Sequence, residues 1–269
     1  MFRLSAIAAV FLTLNAAPLA AHEFWLMPRD FTPDMGANLE IDIKVGQDFK
    51  GNTYGYSPQQ FNSFQIFNGA DAVDVTGRAG DYPAVNQLPA GDGLNIVTHF
   101  STASRLVWEE REKFDAFITA HGMDWVTEAH AARGLPEVGF AEAYTRFAKT
   151  LVATGNGAGE DFRTGLFFEL VAGANPYTED LSAGLPVQLF YLDEPAAGAQ
   201  IDIFVVPTDG ELSRSHVVTD AEGRALIPPT GAGAIMLNAV IMIEPFAEDA
   251  ESVDYVWHSL WASLTYEAQ

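Results

Sequence analysis

Leu39-Glu40-Ile41-Asp42-Ile43-Lys44-Val45 alternates apolar and charged residues without a break. Successive side chains of a strand point to opposite faces, so this run places Leu39, Ile41, Ile43 and Val45 on one face and the charges on the other. That is the pattern of a strand with one buried face. Gly46, Gly51-Asn52, Gly69-Ala70-Asp71, Gly77 and Gly80-Asp81 then separate short apolar runs such as Phe64-Gln65-Ile66-Phe67, and Asn95 to Phe100 reads as a further strand. Residues 23–101 are expected to form several short antiparallel strands, a sandwich or partial barrel.

The texture changes after residue 103. Ser104 reads as a helix N-cap, with Leu106, Glu110, Phe114, Phe117-Ile118 and His121 following at helical spacing. Trp125 to Arg133 reads as a second helix ended by Gly134. Val138 to Val152 carries Phe140, Tyr144, Phe147 and Leu151 at intervals of three and four, and reads as a third. A Gly-rich connector, Thr154 to Gly159, closes this block. Strand-length apolar runs return at Leu166 to Val171, Pro186 to Leu192, Ile201 to Val206, Ile235 to Ile243 and Ser252 to Tyr266. Thr219 to Arg224 fits a tight turn with Gly223 at positive φ. The expected architecture is mainly β: two antiparallel β-sandwich (Ig/transthyretin-like) regions with a helical insertion between them. The expected divisions are a signal peptide over 1–21, an N-terminal β-sandwich region over 22–103, the helical insertion and connector over 104–160, and a C-terminal Ig-like β-sandwich over 161–269.

Met1-Phe2-Arg3 is a short basic start, Leu4 to Ala17 an apolar run, and Pro18-Leu19-Ala20-Ala21 a stretch with small residues. That order reads as a cleavable secretory signal, too short for a membrane span, and points to export into a bacterial periplasm. No later apolar stretch approaches membrane-spanning length. Cleavage after Ala20 or Ala21 leaves a free α-amine beside the His22 imidazole. The two together chelate Ni²⁺ or Cu²⁺, with the intervening amide nitrogen joining when His22 is second. Neither cleavage site fits the small-x-small pattern well, because Pro18 or Leu19 falls at the −3 position.

The 269 residues carry 14 Lys+Arg against 36 Asp+Glu, a net charge of −22, which repels phosphate backbones and anionic headgroups and argues against nucleic-acid partners. The chain has no cysteine, which removes disulfides, thiolate metal sites and thiol nucleophiles together. No Gly-x-Ser-x-Gly, His-Glu-x-x-His or phosphate-binding Gly loop occurs, so a binding role is expected and not an enzyme. Imidazoles are then the leading donors. His22 comes first as an N-terminal chelate, and His99 and His258 are its best partners because both lie in expected strands. His121, His130 and His216 read as solvated. Glu248, Asp249, Glu251 and Asp254 read as a charged hairpin tip. Arg146 and Lys149 read as helix cations that pair with carboxylates, and Tyr54, Tyr56 and Phe61 as caps on the core. An enzymatic alternative is a copper site with an N-terminal histidine brace, which requires His22 to be the first residue of the processed chain.

Ala21-His22-Glu23-Phe24-Trp25-Leu26 after the signal resembles the opening of the DUF4198 family of exported bacterial proteins. Val45-Gly46-Gln47-Asp48-Phe49 falls where that family also has a strand. Ala143-Tyr144-Thr145-Arg146-Phe147-Ala148-Lys149-Thr150-Leu151 resembles its Tyr-Ser-Arg-Tyr-Ala-Lys helix, with Thr and Phe in place of Ser and Tyr. Leu260-Trp261-Ala262-Ser263-Leu264-Thr265-Tyr266 resembles its terminal Trp-Ala-Ser/Thr-Leu-Thr-Phe strand. The resemblance implies a periplasmic protein associated with nickel or cobalt uptake. It would bind or deliver a divalent ion, Ni²⁺ or Co²⁺/Cu²⁺ in its place, with a membrane uptake system as partner. The rival from another class is an adhesion or scaffold module that binds a protein or glycan and no metal.

Overall fold

In the computed structural model, which describes residues 22–246 and 252–268, the alternating run is a strand as its period requires. The chain begins with β1 (Glu23–Pro28), β2 (Leu39–Gln47) and β3 (Lys50–Tyr54), an antiparallel ribbon. Its β2–β3 turn holds Asp48 and Phe49 at φ 54° and 55°. Both values lie in the left-handed region that suits a two-residue hairpin, and burial of Phe49 against Trp25 at 5.3 Å holds it there. A Cβ on Gly46 would lie 1.9 Å from the Lys50 carbonyl oxygen, so only glycine lets the two strands approach. β4 (Phe61–Asn68), β5 (Asp71–Asp74), β6 (Val85–Gln87), β7 (Gly93–Ser101) and β8 (Ser104–Trp108) follow.

Helices α1 (Arg111–Ala120) and α2 (Trp125–Ala132) come next, then β9 (Phe140–Thr154). The remaining elements are strands: β10 (Phe168–Ala172), β11 (Leu185–Tyr191), β12 (Glu194–Pro195), β13 (Gln200–Pro207), β14 (Ser213–Val218), β15 (Arg224–Ile227), β16 (Gly233–Ile243) and β17 (Trp257–Ala268). Gly223 sits at φ +69° in the β14–β15 turn, as the sequence predicts.

The strands form three sheets. The largest has nine strands in the order β14-β13-β16-β17-β9-β7-β4-β5, with β8 also on β9. Its pairs are antiparallel except β17 with β9, which run parallel. Side-chain parity assigns each face a partner. Phe147 and Leu151 of β9, with Leu260 and Leu264 of β17, pack on the sheet of β10, β11, β12 and β15. Ala148 and Val152, on the opposite face of β9, pack on the sheet of β1, β2, β3 and β6. Trp108, Phe140, Trp257 and Trp261 continue that second face and bury α1 through Phe114, Phe117 and Ile118 and α2 through Val126.

The mainly β architecture agrees with the sequence, but two segments correct it. Val138 to Val152, read as a helix, falls from Phe140 onward in β9, the longest described strand and an interior one of the nine-stranded sheet. Because both of its faces are buried, its period of two is masked, and the recurrence of Phe140, Tyr144, Phe147 and Leu151 imitates a helix. Ser104 opens β8 instead of capping a helix; α1 begins only at Arg111. The expected signal peptide lies outside the described residues. No helix among the described residues is long and apolar enough to cross a membrane.

Candidate functional site

Between the β1–β2–β3 sheet and the nine-stranded sheet lies an open cavity of about 360 Å³. One wall comes from the nine-stranded sheet: His99 and Ser101 of β7, and Tyr144 and Arg146 of β9. The other comes from the smaller sheet: His22 and Phe24 at the start of β1, Ile43 and Val45 of β2, and Tyr54 at the end of β3. Ser57, Gln60, Thr102 and Ser104 form the rim. The register explains the gathering. His99 pairs with Ala148, so its side chain shares a face with Arg146 and Tyr144, two and four residues along β9.

His99 is 3% exposed and sits within 5.0 Å of Phe24, 5.5 Å of Phe61 and 4.9 Å of Phe64, ring centre to ring centre. Burial, helped by the nearby positive charge of Arg146, pushes its pKa down to about 3, so the imidazole is neutral at neutral pH. Its Nδ1 is buried with no hydrogen-bond partner among the described residues. Arg146 donates from Nη2 to the His22 carbonyl at 3.2 Å, and its guanidinium lies 4.7 Å from the Tyr144 ring centre and 5.6 Å from that of Phe24. Its Nε is buried without a partner, and no carboxylate among the described residues pairs with it. Burial lowers its pKa; the Tyr144 and Tyr54 phenols act against that.

The cavity therefore combines lone-pair donors, hydroxyls and one positive charge. A neutral imidazole is a ready ligand for a borderline transition metal. Two imidazoles alone are fewer than the donors a resident metal site supplies, and among the described residues no group of three or more His, Asp or Glu is arranged to hold an ion. The remaining coordination positions would have to come from the α-amine of a processed His22 or from the ligand.

The structure brings His22 and His99 to one cavity and places His258 elsewhere. His258 pairs with Ala143 and His99 pairs with Ala148; these β9 positions differ in parity, so the two imidazoles project from opposite faces of the sheet. His258 Nε2 lies 2.8 Å from Thr145 Oγ1, its ring meets Tyr255 at 5.6 Å, and burial lowers its pKa. His121 and His130, read as solvated, are buried. His121 Nδ1 lies 3.3 Å from Asp202, against the Trp261 ring. His130 accepts a 2.9 Å bond from Trp257 Nε1 at Nδ1, and its Nε2 lies 2.9 Å from the Pro136 carbonyl. That pair of contacts fixes the Nε2–H tautomer. His216 is exposed on β14.

Lys149 and Arg146 divide. Lys149, 1% exposed, pairs with Asp161 at 3.0 Å and Glu169 at 2.6 Å, as the sequence led us to expect of a cation in an apolar stretch. Arg146 instead turns to the cavity, a role its misread helix concealed. Tyr56 and Phe61 cap the core as expected, 5.4 Å apart, whereas Tyr54 is half exposed and lines the cavity. Glu248, Asp249 and Glu251 lie outside the described residues, and Asp254 pairs with Arg105 at 3.0 Å.

A model of the DUF4198 family, a domain of unknown function, matches residues 19–243. No curated protein matches the chain. Among solved structures, a tetra-tandem repeat in the extending region of a large adhesion protein is 11% identical over 93% of this chain and 50% of its own, with a TM-score of 0.24. The D0-D1 domain of intimin is 13% identical over 91% of this chain and 97% of its own, with a TM-score of 0.20. The chain thus spans about half the length of the first of these.

Proposed function

The chain belongs to the DUF4198 family, and we propose that it is an exported, periplasmic binding protein that captures a divalent transition-metal ion. The ion is Ni²⁺ or Co²⁺, held at His22 and His99 and passed to a membrane uptake system. The single observation that carries this reading is the meeting of His22 and His99 in one cavity, from positions far apart in the chain. His99 is already deprotonated at neutral pH, so metal binding displaces no proton from it. The acidic chain concentrates cations around the opening, while selection belongs to the placed donors. A cut directly before His22 adds an α-amine to the donor set. The role is binding and release, with no bond made or broken in the cargo.

The test is intact-mass measurement of protein processed in a bacterial periplasm, followed by calorimetric titration with Ni²⁺, Co²⁺ and Cu²⁺. Stoichiometric binding that falls at least about tenfold in both His22→Ala and His99→Ala, and is kept in His258→Ala, supports the reading. Wild-type protein that takes up no metal, or a His99→Ala variant with unchanged affinity, overturns it.

A further inference from the structure

Arg29, Arg105, Arg111, Arg133, Arg163 and Arg214 each pair with a carboxylate. Among the described residues Arg78, Arg224 and Arg146 have no such pair, but Arg78 and Arg224 are exposed to solvent whereas Arg146 is half-buried, in a chain with 36 acidic residues against 14 basic ones. Its guanidinium is fixed from three sides: Nη2 on the His22 carbonyl, the Tyr144 ring on one flank and the Phe24 ring on another. Its Nε is buried and has no acceptor among the described residues, and Arg146 lines the cavity together with His99, whose Nδ1 is likewise buried and unpartnered. A half-buried cation with no counter-ion is costly unless something else neutralises it.

We infer that Arg146 is the receptor for a carboxylate of the ligand, so that the molecule this cavity takes is a small organic carboxylate. Rested on the function proposed above, this makes the metal cargo a chelate and not a bare ion. Three features agree. The guanidinium edge matches the two oxygens of a carboxylate. A volume of about 360 Å³ holds a small organic molecule and far exceeds a single ion. The protein offers two imidazoles where a transition metal takes four or more donors, and a carboxylate chelator fills the rest. Bare Ni²⁺ would meet Arg146 as a like charge, whereas an anionic chelate meets it as a partner. The aromatic walls of Phe24 and Tyr144 favour an organic body over inorganic phosphate.

The experiment titrates full-length processed protein with Ni²⁺ alone, the Ni²⁺–citrate complex, citrate alone and inorganic phosphate. Wild type is expected to bind Ni²⁺–citrate at least about tenfold more tightly than Ni²⁺. Arg146→Gln should erase that preference, and Arg146→Lys, which keeps the charge but not the fork, should restore only part of it. Thermal melts of each variant check that it is folded. Equal affinity for Ni²⁺ and Ni²⁺–citrate in the wild type overturns the inference and leaves the metal reading standing. Citrate binding that depends on Arg146, with no nickel bound in either form, supports the inference and overturns the metal reading. Phosphate bound as tightly as citrate overturns the assignment to a carboxylate.

Discussion

Nη2 of Arg146 donates to the backbone carbonyl of His22 at 3.2 Å, joining positions 124 apart in the chain. The bond ties the start of β1 to the middle of β9, so the cavity wall that carries His22 is positioned by the opposite wall. Arg146→Met removes the charged donor and leaves that carbonyl to solvent. The lost bond costs about 2 kcal/mol, offset in part by relief of the uncompensated half-buried cation, so the expected loss of global stability is below that figure. Amide exchange over residues 22–25 should rise more than exchange in β16. Hydrogen exchange with mass spectrometry checks it, and uniform protection would count against the tether.

Lys149 of β9 is enclosed with Asp161 of the loop before β10 and Glu169 of β10 itself. Lys149→Met is expected to cost about 3–5 kcal/mol by urea denaturation, because two carboxylates are left buried without their cation. Burial already raises the pKa of Asp161, and removing Lys149 takes away the strongest opposing influence. The folded variant therefore binds a proton that the unfolded chain releases, and its deficit should shrink as pH falls. A deficit that is constant from pH 8 to pH 5 would refute this account.

For His99 the sign runs the other way. The folded imidazole takes a proton only near pH 3, whereas the unfolded one does so near its ordinary value of 6.5. Between those limits the unfolded state holds more protons, so the stability due to neutral His99 is complete above pH 6.5 and is lost as pH falls toward 3. Comparing urea midpoints of wild type and His99→Phe at pH 7.5, 6 and 4.5 isolates the effect. The wild type should lose more stability than the variant across that range.

Glu142 is buried and accepts from Trp108 Nε1 at 2.7 Å and from Ser259 Oγ, which in turn accepts from Trp261 Nε1 at 3.0 Å. Burial raises its pKa from 4.5 to about 7. The folded state keeps a proton that the unfolded state has lost, so this group's contribution is present below pH 4.5 and declines as pH rises through 7. Glu142→Gln keeps an acceptor for Trp108 and carries no charge. It should therefore be more stable than wild type at pH 8 and about equal at pH 4.5, measured by chemical denaturation.

A single-face strand was legible because its period is undisturbed: Leu39 to Val45 is β2. Ile201 to Val206, buried on both faces of β13, was legible only as a short apolar run of strand length. β9 was not, and the reason is its place between two cores. Phe147 and Leu151 face one sheet, Ala148 and Val152 the other, so hydrophobicity no longer alternates. That misreading carried into the site. His22 and His99 were identifiable as donors from their residue type and position, but Arg146 is recognised only once β9 is a strand, since strand parity is what turns it toward His99. The separation of His258 from His99 needs the register of two ladders, information that no single run of sequence contains.

β17 bonds on one side to β16 and on the other, in parallel, to β9. It is the last described strand in chain order, yet it joins the two halves of the largest sheet. A chain emerging from a ribosome or a translocation pore presents β9 with a bare row of N–H and C=O groups while every element from β10 to β16 is still being released. That open edge is a template for pairing with another copy. Removing residues 257–268 would not trim the margin of the protein; it would cut the sheet in two.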